Sequence, residues 1–398
     1  MDKLFQYSAS RIKSVDTSFK RYLWDKINWD NRLIVVTGAR GSGKTTLLLQ
    51  YIREKLNETP DEVIYVNLDD LYFSKNSLVD FADDFVKKGG KHLFLDEIHK
   101  YKNWSQEIKN IYDYFPELKI VATGSSALDI YKGDADLSRR AVMYKLNGLS
   151  FREFIELKYD YEFPVFELSD LLSDASKKSE LILQKIRPLK PFQEYLQYGY
   201  YPFFREGEAE FQDRLKKTVN YLLETDLPSV ENINFNTVHS LRKLTSVLAE
   251  IVPYRPNILK LSQIIGISRE TLLRYLYLLE KADLLILLQS GIQGISKMNK
   301  PEKIYLQNPN LVNCLAYNPP NRGTIRETFF LSQLNVSNTV NWSEKGDFLV
   351  DGKYIFEIGG KNKTRKQIAG INDAYIAADD IEYAQQNRIP LWLFGFLY

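Results

Sequence analysis

The chain has 398 residues, 44% hydrophobic and 26% charged, with a formal net charge of +2. That is the profile of a folded protein with room for two or three domains, and it neither demands nor excludes nucleic acid as a partner. A single cysteine, Cys314, excludes an internal disulfide and a cysteine-based metal cluster, and His92, His99 and His239 lack the helical spacing of zinc ligands.

The first residues, Met1-Asp2-Lys3-Leu4-Phe5-Gln6, have no apolar core ahead of a small-residue cleavage site, so no secretory signal is expected. Apolar patches such as Leu284–Leu288 are too short to span a bilayer, and the expectation is a cytoplasmic protein with no membrane partner. Residues 1–30 read as an N-terminal helical segment. The apolar run Leu33-Ile34-Val35-Val36 then reads as a buried strand. Directly behind it come Gly38-Ala39-Arg40-Gly41-Ser42-Gly43-Lys44-Thr45 and the helix-compatible Thr46-Leu47-Leu48-Leu49-Gln50-Tyr51-Ile52. Strand, glycine-rich turn and helix form the setting of a phosphate-binding loop. Glycines let several N–H groups converge on one anion at a helix N-terminus. Lys44 supplies a mobile positive charge for the β- and γ-phosphates, and the Thr45 hydroxyl is placed to ligate Mg²⁺. Residues Gly38, Ala39, Arg40, Gly41, Ser42, Gly43, Lys44, Thr45 and Thr46 are therefore the expected contacts of a nucleoside triphosphate.

Short apolar runs recur at Val63-Ile64-Tyr65-Val66, Leu93-Phe94-Leu95 and Ile120-Val121-Ala122. Each reads as a buried strand of a parallel sheet, with room between them for crossover helices. Asp96 follows one of these strands, where an acid can hold Mg²⁺ through its water shell. The next residue, Glu97, is placed to orient or deprotonate an attacking water. The run Thr123-Gly124-Ser125-Ser126 sets the Ser125 hydroxyl where it can touch the γ-phosphate or the lytic water, with a plain turn as the competing reading. In Leu137-Ser138-Arg139-Arg140 the Arg140 guanidinium can stabilise transition-state charge, from the same chain or from a neighbouring copy, and a surface ion pair is the alternative.

These motifs, with Tyr65-Val66-Asn67-Leu68-Asp69-Asp70, Leu95-Asp96-Glu97-Ile98 and Leu149-Ser150-Phe151-Arg152-Glu153-Phe154, make the chain resemble the prokaryotic AAA-type ATPases that carry a C-terminal domain of uncharacterised function. The resemblance spans most of the chain. It implies an α/β core with an additional-strand P-loop sheet over residues 31–158, ATP as the nucleotide and Mg²⁺ as its ion. It also implies Lys44 and Thr45 on phosphate and metal, with Asp96 and Glu97 as the acidic pair. The group usually has a glycine just before the residue numbered 140 here, and this chain has Arg139.

From 159 to 252 the pattern is helical, read as a lid and linker without a catalytic constellation. Pro228 is expected to end the helix that contains Tyr221–Leu227. Residues 253–300 read as a winged-helix module: two short helices around Gly266, Ser268 as N-cap of the second, then a strand pair. Between Asn257 and Lys300, Lys260, Arg269, Arg274, Lys281, Lys297 and Lys300 outnumber Glu270, Glu280 and Asp283, a modest excess for a duplex binder.

The last segment, 301–398, resembles a small α+β restriction-endonuclease-like domain through Glu327, Asp347 and Glu357-Ile358-Gly359-Gly360-Lys361. In that fold carboxylates bind Mg²⁺ and a lysine helps activate water. Lys361 stands four residues beyond Glu357, about 13 Å along a regular strand at roughly 3.3 Å per residue, so a bulge at Gly359-Gly360 is needed to bring it back. A two-residue loop at Asp351-Gly352 places Asp347 and Glu357 on opposite faces, and a three-residue loop at Val350-Asp351-Gly352 places them together. The expectation is an ATP-hydrolysing protein whose nucleotide state controls the C-terminal modules, against double-stranded DNA and with self-association open. The alternatives are an ATP-gated Mg²⁺ nuclease and a signalling or scaffold NTPase that binds protein only.

Overall fold

A computed structural model of the chain describes residues 2–56, 60–126, 137, 139–230, 233–290 and 300–398. Lys297 and Ser138 lie outside the described residues. The chain divides into two compact units, Met1–Asn147 with Tyr221–Asn234, and Gly148–Asn220 with Phe235–Tyr398.

In the first unit, α1 (Asp2–Ser14) leads to β1 (Leu33–Gly38), α2 (Lys44–Lys55), β2 (Val63–Asn67), α3 (Leu78–Lys87), β3 (His92–Asp96), α4 (Trp104–Tyr114), β4 (Lys119–Ser125) and β5 (Val142–Lys145). The strands form one five-stranded sheet in the order β2-β3-β4-β1-β5, parallel throughout. Alternate side chains serve opposite faces. Leu33, Val35, Ile64, Leu93 and Ile120 pack with Phe81, Phe85 and Ile108 of α3 and α4. Ile34, Val36, Tyr65, Phe94 and Val121 pack with Leu47 and Leu48 of α2. Helices on both faces explain why these strands read as unbroken apolar runs. With β4 inserted between β1 and β3, Gly38 stands in register with Ser125 and Leu95 with Ala122. The phosphate loop, the acidic strand end and the Thr123–Ser125 tip therefore share one edge of the sheet.

In the second unit a five-stranded sheet runs in the order β12-β11-β10-β9-β8. Its strands are β8 (Val340–Trp342), β9 (Phe348–Val350), β10 (Tyr354–Gly359), β11 (Ala374–Ala378) and β12 (Arg388–Pro390). The hairpins β8–β9–β10 are antiparallel, and β10–β11–β12 are parallel. Helix Arg322–Leu334 packs on this sheet through Phe330, whose ring lies 5.4 Å from Phe348 and 4.9 Å from Phe356. The β9–β10 loop is neither of the two expected. Val350 pairs with Tyr354, leaving Asp351-Gly352-Lys353 as a three-residue loop, and Asp351 and Gly352 both take left-handed φ values of 53° and 66°. Continuing that register sets Asp347 across from Glu357, on one face.

Helix Phe151–Tyr159, expected as the end of the ATPase core, belongs to this second unit. Its first turn is fixed by a buried capping box: Ser150 Oγ accepts from Glu153 N–H at 3.1 Å and Ser150 N–H donates to the Glu153 carboxylate at 3.0 Å. Phe151 then meets Phe192 at 5.3 Å and Phe396 at 5.9 Å, joining the middle of the chain to its last turn. Helices Ile258–Ile265 and Arg269–Lys281 flank Gly266, at φ 85°, and Ser268 Oγ accepts from Thr271 N–H at 3.1 Å. Strands β6 (Leu285–Leu288) and β7 (Lys303–Leu306) follow as an antiparallel pair.

Pro228 does not end its helix. Helix Phe211–Tyr221 runs on as one π-helical turn, Leu222–Asp226, and then as Leu227–Val230. Leu227 N–H reaches back to Leu222 O, and Pro228, next in line, has no N–H to place, so the wider turn absorbs it. Replacing Ser150 by Ala removes the cap from Phe151–Tyr159 and should lower the stability of the second unit by about 1–2 kcal/mol, read as a lower urea midpoint. An unchanged midpoint would show that the Phe151 ring contacts alone fix the helix start.

Candidate active site

The loop between β1 and α2 is shaped by its glycines. Gly41 and Gly43 hold φ values of 81° and 98°, and a Cβ on Gly38 would lie 2.2 Å from the Leu146 carbonyl oxygen. Arg21, buried beneath the loop, donates to the carbonyls of Ser42 and, at 2.7 Å, Asn147. Lys44 curls back so that its ammonium donates to Gly38 O at 2.8 Å and Ala39 O at 3.1 Å. Ser42 Oγ is buried in the same loop without a hydrogen-bond partner. An ammonium inside a bent main chain, beside an orphaned hydroxyl and a position that no Cβ can enter, fits a triphosphate.

One carboxylate organises the adjoining strand ends. Asp96 Oδ2 accepts from Thr45 Oγ1 at 2.7 Å and from the Tyr65 hydroxyl at 2.7 Å, and Oδ1 accepts from the Thr123 hydroxyl and from Glu97 N–H at 3.1 Å. Burial, then the Asp96 charge, pushes the Tyr65 phenol far above its ordinary range, so it remains a donor. Glu97 adopts φ 56°, left-handed backbone that non-glycine residues rarely take and that the surrounding bonds must sustain. Thr45 and Asp96 together present a hydroxyl and a carboxylate suited to Mg²⁺. Among the described residues no group of three or more His, Cys, Asp or Glu can hold a metal ion. A nucleotide-borne Mg²⁺ does not require such a group, because phosphate oxygens and water complete its shell.

His99 is fully buried behind Glu97. Its Nδ1 accepts from Ser125 N–H at 3.3 Å, and its Nε2 stands 3.4 Å from Glu97 Oε2 and 3.4 Å from Asp226 Oδ1. Asp226, on the π turn, is also buried, with Lys100 Nζ 2.6 Å from Oδ1 and Arg40 of the phosphate loop 3.7 Å from Oδ2. Burial raises the Asp226 carboxyl, but the Lys100 ammonium bonded to it and the His99 imidazole beside it outweigh that and hold the group below its ordinary value. The Tyr221 ring lies under both cations, 4.1 Å from the Arg40 guanidinium and 4.8 Å from the Lys100 ammonium.

Of the residues expected at the site, the sheet edge brings together Lys44, Thr45, Asp96, Glu97 and Ser125. Arg140 instead makes a two-pronged contact with Asp113 of α4, at 3.0 Å on each arm. Tyr65, Thr123, Arg21, His99 and Asp226 were not foreseen at the site. Thr123 and His99 had a local signal, standing at the tip of β4 and two residues beyond Glu97. Arg21 and Asp226 had none.

In the second unit Glu327, Asp347 and Glu357 also converge, but each already has partners. Glu327 Oε2 accepts from Lys303 Nζ and from the Tyr305 hydroxyl, both at 2.7 Å, and Asp347 Oδ2 accepts from Ile358 N–H at 2.8 Å. Burial first, and then the charges of Glu327 and Glu357, push the Asp347 carboxyl up to about 6. The lysine at Glu357 is Lys363 rather than Lys361. Its stem folds over Gly359, where a Cβ would stand 2.6 Å from it, so the glycine makes the fold-back possible. The Gln367 amide, oriented to satisfy both groups, donates to Glu357 at 3.0 Å. Glu327 and Glu357 each carry a lysine, and among the described residues no group of three or more His, Cys, Asp or Glu forms a metal site, so no hydrolytic step is derived from these carboxylates.

The family described as an AAA domain matches residues 30–155, and one described as a domain of unknown function matches 189–322. An uncharacterised protein of Methanocaldococcus jannaschii is 29% identical over 290 residues, covering 70% of this chain and 61% of that protein. One of Haemophilus influenzae is 26% identical over 265 residues, covering 62% and 60%. The chain thus spans about three fifths of the length of these relatives. Among solved structures, AMPPCP-bound DnaA of Aquifex aeolicus is 15% identical with a TM-score of 0.26, over 70% of this chain and 88% of that one. The Aeropyrum pernix Orc1 protein in complex with DNA is 11% identical with a TM-score of 0.31, over 76% and 87%. Both scores are too low to place any element of this chain. Residues 30–155 thus match an AAA-domain family and carry a phosphate loop on a parallel sheet, and residues 189–322 match a domain family of unknown function.

Proposed function

We propose that the chain hydrolyses ATP and that its nucleotide state governs the modules of the second unit. The observation that carries this reading is the 2.7 Å bond from the Thr45 hydroxyl, on the loop, to Asp96, at the end of β3. It sets the two groups that would hold Mg²⁺ beside each other. Main-chain N–H groups from Gly38 to Thr46 receive the phosphates, and Lys44 leaves its carbonyl partners to meet the β- and γ-oxygens. Mg²⁺, when bound, neutralises charge on those oxygens. Glu97 takes a proton from the attacking water, and Ser125, across from Gly38, senses the γ-phosphate. Arg140, held by Asp113, has no role at its own chain's nucleotide in this reading.

The helix–turn–helix and hairpin of the second unit support an association with duplex DNA. Lys260, Arg269 and Arg274 are exposed there, the last two on the second helix. Binding of the full chain to labelled duplex should then fall steeply between low and physiological salt. Absent or salt-insensitive binding would favour a protein partner instead.

Lys44→Ala should weaken ATP binding by about 100-fold or more, measured by titration with a fluorescent nucleotide, and an unchanged affinity would refute the nucleotide site. Glu97→Gln should bind ATP as the parent does and turn it over about 10²- to 10⁴-fold more slowly. Phosphate release at the parent rate would remove Glu97 from the base role.

A further inference from the structure

The contacts of His99 and Asp226 go unused in that scheme, and their geometry is unusual. Because His99 Nδ1 accepts the Ser125 N–H, the imidazole's proton lies on Nε2. That N–H is buried, stands 3.4 Å from an oxygen of Glu97 and 3.4 Å from an oxygen of Asp226, and completes a hydrogen bond with neither. Asp226 Oδ2 is likewise buried without a hydrogen bond, facing Arg40 at 3.7 Å. A pair kept only for stability would close these bonds, since orphaned polar atoms in the interior are costly. One donor between two carboxylates can satisfy one of them at a time.

We propose that Asp226 is a positioning residue for Glu97: by competing for the His99 Nε2 proton it decides whether the Glu97 carboxylate is tied inward or left open to the attacking water. The inference rests on the hydrolytic role given to Glu97 above. When His99 donates to Asp226, both Glu97 oxygens are available to water. When it donates to Glu97, that carboxylate turns toward the imidazole and loses its reach.

Where Asp226 stands in the chain gives the choice a purpose. The segment Tyr221–Asn234 belongs to the first unit, while the residues on both sides of it belong to the second. Its Tyr221 ring and Asp226 carboxylate are fastened to Arg40 of the phosphate loop and to Lys100, so a pull on either flank acts first on this pair. The second unit is thereby given a covalent handle on the hydrolytic carboxylate.

The test uses the full chain and a non-hydrolysable ATP analogue. Asp226→Asn keeps the shape and removes the charge. It should bind the analogue within about 2-fold of the parent, lower kcat by about 10-fold or more, and shift the His99 Nε2–H resonance in the nucleotide-free protein. Glu97→Gln and the double variant should turn over at the same rate, because Asp226 acts through Glu97. Asp226→Glu retains the charged acceptor and should recover most of the turnover. Parent-like kcat in Asp226→Asn, an unmoved His99 resonance, or losses that multiply in the double variant would each overturn the inference. Should Asp226→Asn not bind the analogue, Asp226→Glu decides alone: near-parent turnover supports the assignment and a tenfold fall sinks it. Failure of the unaltered chain to bind the analogue would instead sink the nucleotide reading itself.

Discussion

A carboxylate in the interior of an apolar sheet is unfavourable unless its oxygens are bonded, and Asp96 meets that condition with donors from four directions. Thr45 reaches it from α2, Tyr65 from β2, Thr123 from β4, and the Glu97 amide from the turn that follows. The same bonds that make the charge tolerable fix the register of three strands against the helix behind the phosphate loop. A slip of one residue in any of them would bury an unpaired charge, so the position of the acidic end follows from the cost of getting it wrong.

The strain at Glu97 follows from this. With its N–H drawn to Asp96, the chain turns sharply out of β3 in left-handed backbone, and the Glu97 side chain keeps 24% of its surface exposed while His99 behind it keeps none. A sharp turn at the end of a buried strand thus separates two neighbouring acids into one that is locked and one that can move.

The parallel strands were legible because both faces of each are covered, which leaves nothing but apolar residues to read. The strand β5 was not, since Val142-Met143-Tyr144-Lys145 lies on the sheet edge with three of its four residues exposed. The phosphate loop was legible because its chemistry is local. Asp226 was not, because it sits 126 residues from Lys100 and carries only the look of a helix-terminal acid ahead of a proline. The β9–β10 hairpin failed for a different reason. Asp351-Gly352 suggests a tight turn, and the inclusion of Lys353, which sets Asp347 across from Glu357, depends on strand register rather than on turn residues. Lys363 likewise reaches Glu357 through the turn after Gly360, a geometry that counting along an extended strand cannot reveal.

The return of Tyr221–Asn234 to the nucleotide unit means that the chain cannot be parted into its two bodies at one point. A nick after Asn147 leaves the N-terminal fragment without the acid that faces His99 and without the ring beneath Arg40, because both lie in a segment bounded on each side by the second unit. Exchanging one C-terminal half for another would carry the partner of His99 away with it. Any exchanged C-terminal half would have to bring its own partner for His99.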